Sequence, residues 1–301
     1  MTRPVVIPLD AGDALARPLA EGIGAELGGI ETRRFPDGET YLRHVTALTG
    51  RRVVLLATLD RPDPKALPLL FAAQSARELG AREVGLVAPY LAYMRQDRRF
   101  REGEAVTSVH FATFLSRCVD WLVTVDPHLH RHAALSEIYS IPAVAVRAAP
   151  VLADWIAREV ASPILLGPDE ESEQWVSEVA RRAGAPHLVL RKVRRGDRDV
   201  TVTPPDPAAL GGRTPVLVDD IVSTARTMIE TVGHLRGSGT AAPVCVAVHG
   251  VFAPGARDAL LAAGAARVVT TNTIPDQTNA IDVAGPLGEA VRSLMAEGGP
   301  A

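Results

Sequence analysis

The chain has 301 residues, more than the roughly 100 to 150 of a common single domain, so two units with separate cores are expected. Hydrophobic residues make up 47%, charged residues 22% and aromatics only 4%, which predicts aliphatic cores in an ordinary globular protein. A formal net charge of -3 and the lack of a long basic tract give no electrostatic reason to expect nucleic acid or a membrane surface, and favour a small-molecule partner.

At the N-terminus, the apolar run in MTRPVVIPLDAGD is short, interrupted by Pro8 and ended by Asp10. It reads as neither a signal peptide nor a membrane span, so a cytoplasmic protein is expected. GIGAELG follows, with Gly22, Gly24 and Gly28 imitating a dinucleotide fingerprint; because they lie in a helical pattern and not after a strand, they read as helix packing. Strands are predicted at 5–9, 52–59, 83–91, 121–125, 163–168, 187–193, 215–220, 243–252 and 266–271. Ala-rich helices separate most of them, for example at 65–79, 172–183 and 225–236. Apolar runs without strict alternation, divided by helices, indicate parallel strands covered on both faces. The expected fold class is α/β, as two tandem doubly wound, mostly parallel-sheet domains. Cys118 and Cys245, the only cysteines, sit in apolar stretches and read as buried thiols of a reducing compartment.

The halves share a pattern. A shift of 160 residues superimposes Asp60 on Asp220 and Ala88 on Val248, and later the shift shrinks to about 145, placing Val123 on Val268. The difference is an insertion in the first half near 92–106 (AYMRQDRRFREGEAV), a polar, Arg-rich loop that neither core is expected to need. A break near 145–150 predicts domains at 1–147 and 148–285, with a final helix and tail at 286–301 that could belong to either.

The segment VLVDDIVSTART (216–227) carries the clearest chemistry. An apolar strand ends in Asp219 and Asp220, then passes through Ile221 and Val222 to Ser223, Thr224, Ala225, Arg226 and Thr227 before a helix. A phosphate there would meet backbone N–H groups and hydroxyls at a helix N-terminus, with two carboxylates one turn away for the hydroxyls of a sugar. The competing reading is an ordinary N-cap in which Ser223 or Thr224 satisfies the first turn. Two adjacent acids closing a buried strand exceed what capping requires. At the equivalent place the first half reads Leu59, Asp60, Arg61, so a single ribose site is expected.

Other segments leave two readings each. Phe35, Asp37, Gly38 and Glu39 offer an aromatic face and carboxylates for a purine and its exocyclic amine, or simply a polar hairpin turn. Arg95 and Gln96, in the inserted loop, offer a guanidinium fork and an amide to phosphates, or a solvated surface. Asp126, His128, His130 and His132 suit the metal site of an amidohydrolase, but that fold needs the motif on its first barrel strand, and His187, His234 and His249 follow in no ligand spacing. His130 and His132 read as a solvated cluster. Lys192 and Arg194 occupy alternate positions and share a face if extended, which suits a phosphoryl-transfer transition state; a charged hairpin with Asp197 and Asp199 is the competing reading. No GxxxxGK[ST] occurs, which argues against a P-loop kinase.

The loop at 216–227 resembles the phosphoribosyl diphosphate loop of the type I phosphoribosyltransferase fold. FPDGE (35–39), YMRQDR (93–98), VDPH (125–128), GPD (167–169), RKVRR (191–195), HGVF (249–252) and TNTIP (271–275) are similar, in order and over nearly the whole chain, to segments of the ribose-phosphate diphosphokinase family. The resemblance implies two phosphoribosyltransferase-type domains and transfer of diphosphate from ATP to C1 of ribose 5-phosphate. It implies that Phe35, Asp37, Gly38, Glu39, Arg95, Gln96 and His128 bind ATP, the first four from a neighbouring subunit of a homo-oligomer, hexameric or built from dimers. It further implies that His128 and Asp169 serve Mg²⁺, and that Lys192 and Arg194 are catalytic. Ribose 5-phosphate would then fall to Arg194, Asp219, Asp220, Ser223, Thr224, Ala225, Arg226 and Thr227. Arg226 stands where the family usually has glycine, and Ser223 where an Asp is common. Arg226 is therefore the best support for an alternative, a catalytically silent nucleotide-binding relative that regulates an active partner in a mixed oligomer. A phosphoribosyltransferase would leave the first half and FPDGE unexplained.

Overall fold

In the computed structural model, residues 2–10, 14–129, 131–168, 172–190, 192–194, 200–202 and 207–297 are described, those at 192–194 and 200–202 as backbone. The chain divides into two units: one runs to Arg147 and takes the chain back from Val283, and the other is Ala148–Asp282.

In the first unit β1 (Val5–Pro8) leads through α1 (Ala16–Gly22) and the short β2 (Glu26–Leu27) to an antiparallel hairpin, β3 (Ile30–Arg34) and β4 (Thr40–His44). There follow β5 (Arg52–Leu56), α2 (Asp63–Glu78), β6 (Glu83–Ala88), α3 (Thr107–Cys118), β7 (Trp121–Val125) and β8 (Ala143–Val146). The strands outside the hairpin form one parallel sheet in the order β2-β1-β5-β6-β7-β8. Successive residues of β5, β6 and β7 are buried, so both faces of the sheet are covered, which is why these runs are apolar without alternation.

The second unit contains α4 (Ala149–Glu159), β9 (Pro163–Gly167), α5 (Glu173–Ala183), β10 (His187–Val189) and an antiparallel ribbon, β11 (Lys192–Arg194) with β12 (Val200–Val202). After the short α6 (Pro207–Leu210) come β13 (Thr214–Val222), α7 (Arg226–Gly237), β14 (Val244–Gly250), α8 (Ala256–Ala263), β15 (Arg267–Thr271) and β16 (Asn279–Ile281). Its parallel sheet runs β10-β9-β13-β14-β15-β16, the same order as the first. Met228, Val232 and Leu235 of α7 share a buried cluster with Leu217 and Val222 of β13. Burying side chains of this size is worth about 1.5–3 kcal/mol each, which holds the start of α7 against the end of β13. The final helix, α9 (Ala284–Glu297), returns to the first unit and packs on α1, β7 and β8.

The expected fold class holds, while local readings change. Of the three glycines read as helix packing, Gly22 ends α1, Gly24 takes a left-handed φ of 65°, and Gly28 lies beyond β2, where a Cβ would come within 2.5 Å of the Val5 side chain. The constraint at Gly24 and Gly28 is a turn and a close strand approach. The run 187–193 is broken: Leu190 N donates to Gly167 O at the end of the ladder, and Lys192 begins a separate ribbon. The inserted loop is not foreign to the core, because Ala92 and Met94 at its start are buried. The strand at 215–220 extends to Val222, since the backbone of Asp219, Ile221 and Val222 stays paired with β14.

Candidate active site

In each sheet the chain order reverses at one point, between β1 and β5 and between β9 and β13. The crevice outside the carboxyl ends of strands at such a point is where open α/β sheets bind ligands. Gly167 ends β9, and DDIVSTART runs from the last residues of β13 into α7, so topology brings the ends of both strands to the switch point of the second unit.

Asp219 and Asp220 lie near the carboxyl end of β13, half-buried, and each braces the next residue: Asp219 Oδ1 accepts from Asp220 N at 3.0 Å, and Asp220 Oδ1 from Ile221 N at 2.8 Å. The loop then turns at Ala225, which takes a left-handed φ of 58° and serves as N-cap of α7 without a side-chain cap. Neither Ser223 nor Thr224 fills that role, so the ordinary capping reading fails here. An uncapped helix N-terminus with hydroxyls beside it is suited to an anion. Ser223 O accepts from Ala253 N at 3.1 Å, tying the loop to the residues after β14. Arg226 is the exposed first residue of α7 and has no left-handed φ; the strained position where glycine would be at home is Ala225.

HGVF and TNTIP meet beside this edge. His249 Nδ1 lies 2.9 Å from Thr273 Oγ1, and the hydroxyls of Thr271 and Thr273 both donate to Val248 O, all of them buried. Lys192 and Arg194 occupy alternate positions of β11, paired in register with Val202 and Val200. The backbone there is a ribbon, as the charged-hairpin reading required, and it is also extended, as the shared face required. Asp169 and His130 lie outside the described residues.

In the first unit FPDGE is the tip of the β3–β4 hairpin. Gly38 takes φ 93°, Glu39 N donates to Asp37 Oδ1 at 3.1 Å, and Arg33 sits 4.5 Å over the Phe35 ring and 4.4 Å over Tyr41. Phe35 itself is 38% exposed at the tip. His44 of β4 meets Ala72 O and Ser75 Oγ of α2, both at 3.0 Å, which seats the hairpin on that helix. Arg95 and Gln96 follow β6, and His128 follows the neighbouring β7, so these loops share one edge of the sheet. His132 is not simply solvated: its Nδ1 pairs with Glu137 at 3.1 Å. Among the described residues no group of three or more His, Cys, Asp or Glu side chains is placed to hold a metal ion, and the two open sheets exclude the amidohydrolase barrel.

At the first unit's own switch point the crevice is partly filled from within. Pro62 caps α2 and Pro64 follows, removing N–H donors, and Lys65 Nζ reaches Asp60 Oδ1 (2.6 Å), Thr58 O (2.8 Å) and Asp10 Oδ2 (3.1 Å). A cavity of about 300 Å³ remains between Asp10, Pro64 and Lys65 on one side and Arg33, Arg34 and Thr40 of the hairpin on the other. The helix after β5 starts at Asp63 and the one after β13 at Arg226, so counted from the helix starts Leu56 and Ala57, not Leu59 and Asp60, stand where Asp219 and Asp220 do. Either count leaves the first unit without a double carboxylate.

The family model for the N-terminal domain of ribose phosphate pyrophosphokinase matches residues 5–118, and that for the phosphoribosyl transferase domain matches 134–284. The chain belongs to the ribose-phosphate pyrophosphokinase family. A ribose-phosphate pyrophosphokinase of Methanopyrus kandleri is 36% identical over 292 residues, covering 96% of this chain and 99% of its own length. Those of Methanothermobacter thermautotrophicus and Halobacterium salinarum are 31% and 33% identical, over 96% and 93% of this chain and 100% and 98% of theirs. The crystal structure of phosphoribosylpyrophosphate synthetase from Mycobacterium smegmatis shares the fold, with a TM-score of 0.83 over 99% of this chain and all of that one (100%) at 22% identity.

Within this chain, residues that sequence reasoning did not single out do visible structural work. Tyr93 takes a left-handed φ of 63° and its hydroxyl donates to the Asp63 carboxylate. Hydrogen bonding to that carboxylate, with burial behind it, pushes the phenol up to about 12. Tyr93 stood inside a quoted motif, but nothing local announced its backbone or its partner. Burial pushes the thiols of Cys118 and Cys245 up to about 11 and about 12, in keeping with inert core positions.

Proposed function

We propose that this chain transfers the β,γ-diphosphoryl group of ATP to the C1 hydroxyl of ribose 5-phosphate, giving AMP and phosphoribosyl diphosphate. The observation that carries the reading is the end of β13: a half-buried double carboxylate followed by an uncapped helix N-terminus at the sheet's switch point, in a chain similar over nearly its whole length to ribose-phosphate pyrophosphokinases. Asp219 and Asp220 hold ribose hydroxyls, and residues 223–227 receive the 5-phosphate on backbone N–H groups and hydroxyls. Phe35 stacks on adenine with Asp37, Gly38 and Glu39 beside it, and Arg95, Gln96 and His128 bind the ATP phosphates. Lys192 and Arg194 stabilise the charge that develops on the transferring phosphoryl group, and Arg194 also takes part in binding ribose 5-phosphate.

Mg²⁺ is the cofactor this reading requires. The protein donors, His128 and Asp169, are few, which fits an ion held mainly by water and ATP phosphate oxygens. When bound, it neutralises phosphate charge and lowers the barrier to attack. Dedicated base chemistry is not needed at C1 if the two substrates are held in line, and the chain's part is positioning. The exposed hairpin tip fits donation of Phe35 to a neighbouring subunit, and so a homo-oligomer. The silent-relative alternative leaned on Arg226; as a helical first residue, Arg226 forces no other backbone path.

The test is incubation with ATP, Mg²⁺ and ribose 5-phosphate while following AMP and phosphoribosyl diphosphate. AMP formation that does not depend on ribose 5-phosphate overturns the reading. Lys192→Ala should abolish turnover while ATP binding persists, and an unchanged rate would remove Lys192 from the mechanism.

A further inference from the structure

We infer that Tyr93 is a positioning residue for the ATP-side loop, held by Asp63 at the start of α2 so that Arg95 and Gln96 face their ligand; this rests on the reading that those two residues meet ATP. An aromatic residue at φ 63° is a backbone outlier, costing on the order of 1–3 kcal/mol, and persists only when its surroundings over-determine it. Two contacts do so. The Tyr93 ring packs on Phe111 of α3 with centroids 4.7 Å apart, and its hydroxyl donates to Asp63. The raised phenol keeps that proton through any working pH.

The consequence is an ordered alternation beyond the turn. Met94 is buried at 2% exposure, and Arg95 is exposed. Gln96 N donates to Tyr93 O at 3.3 Å, closing the turn, while Gln96 O accepts from Ser108 N at 3.3 Å and Gln96 Oε1 from Thr107 Oγ1 at 3.2 Å. Arg95 is thus suspended between an anchor on α2 and an anchor on the first turn of α3. Asp63 is the first residue of α2, the place Arg226 holds on α7. Where the second unit keeps a helix start open, the first puts a carboxylate that repels phosphate and uses it to tether Tyr93. The switch point of the first unit has become a support for the loop on its other strands.

Steady-state kinetics on the full enzyme tests this. Tyr93→Phe keeps the ring on Phe111 and removes only the tether; the ATP KM should rise about three- to tenfold, the worth of part of one hydrogen bond to a charged group, with kcat and the ribose 5-phosphate KM little changed. Asp63→Asn, which keeps an acceptor, should raise the ATP KM less than Asp63→Ala. An unchanged ATP KM in Tyr93→Phe, or an equal rise for both substrates, overturns the inference. Arg95→Ala measured alongside separates the two layers: if it leaves the ATP KM unmoved, the ATP reading of the loop fails, whereas a rise there with none in Tyr93→Phe sinks the positioning role alone.

Discussion

Ala225 and Arg226 exchange roles between sequence and structure. The family resemblance marked Arg226 as the residue at a glycine position, but the left-handed φ of 58° belongs to Ala225, and Arg226 is already helical. A left-handed conformation costs an L-residue roughly 1–2 kcal/mol, and glycine escapes it. Ala225→Gly should therefore raise stability by about 0.5–1 kcal/mol in chemical denaturation, while Arg226→Gly should lower it by a similar amount, because glycine in a helix loses entropy without relieving strain. If both changes destabilise alike, the strain is not where the backbone puts it. Asp219 and Asp220 were legible because two acids at the end of an apolar strand are rare. The left-handed Tyr93 was not, because its partners Asp63 and Phe111 lie on other elements.

Among elements, the long apolar strands were legible, and of the four short edge strands only β10 was, inside the run 187–193. β5, β6, β7, β9, β13, β14 and β15 are each announced by consecutive β-branched or aliphatic residues. β2, β8 and β16 at the sheet edges are two to four residues long, and β16 opens on Asn279, so composition carries little signal. The β3–β4 hairpin was one of two readings of FPDGE, and the fold realises it without disposing of the other, since a hairpin tip is where an exposed ring can be offered. Phe35→Ala should raise the ATP KM about fivefold or more, the scale of one base-stacking contact. It should cost less than about 1 kcal/mol of stability, because Arg33 keeps its place over Tyr41. Thermal melts and ATP titrations check the pair of outcomes, and a large loss of stability with unchanged ATP binding would make Phe35 structural.

At the scale of the whole molecule, the chain leaves its first unit at Arg147 and re-enters it at Val283. Val283, Leu287 and Val291 are at most 1% exposed, and α9 lies on α1, β7 and β8. Leu287→Ala should accordingly cost about 2–5 kcal/mol. Trp121 belongs to the first unit and Trp155 and Trp175 to the second, so a Trp155→Phe, Trp175→Phe background lets fluorescence follow the first unit alone. A loss smaller than about 0.5 kcal/mol there would mean α9 is not part of that core. The amino-acid sequence determined the parallel α/β architecture and the strand-and-loop that closes on Asp219, because burial on both faces and a strand-to-helix turn are written in neighbouring residues. Only the tertiary structure decided which residue of the loop turns left-handed, that α7 begins without a side-chain cap, which unit claims the last helix, and that Lys65 ties Asp10 to Asp60 in the first unit's crevice while Asp63 holds Tyr93. Those outcomes depend on contacts between groups distant along the chain, which no local pattern encodes.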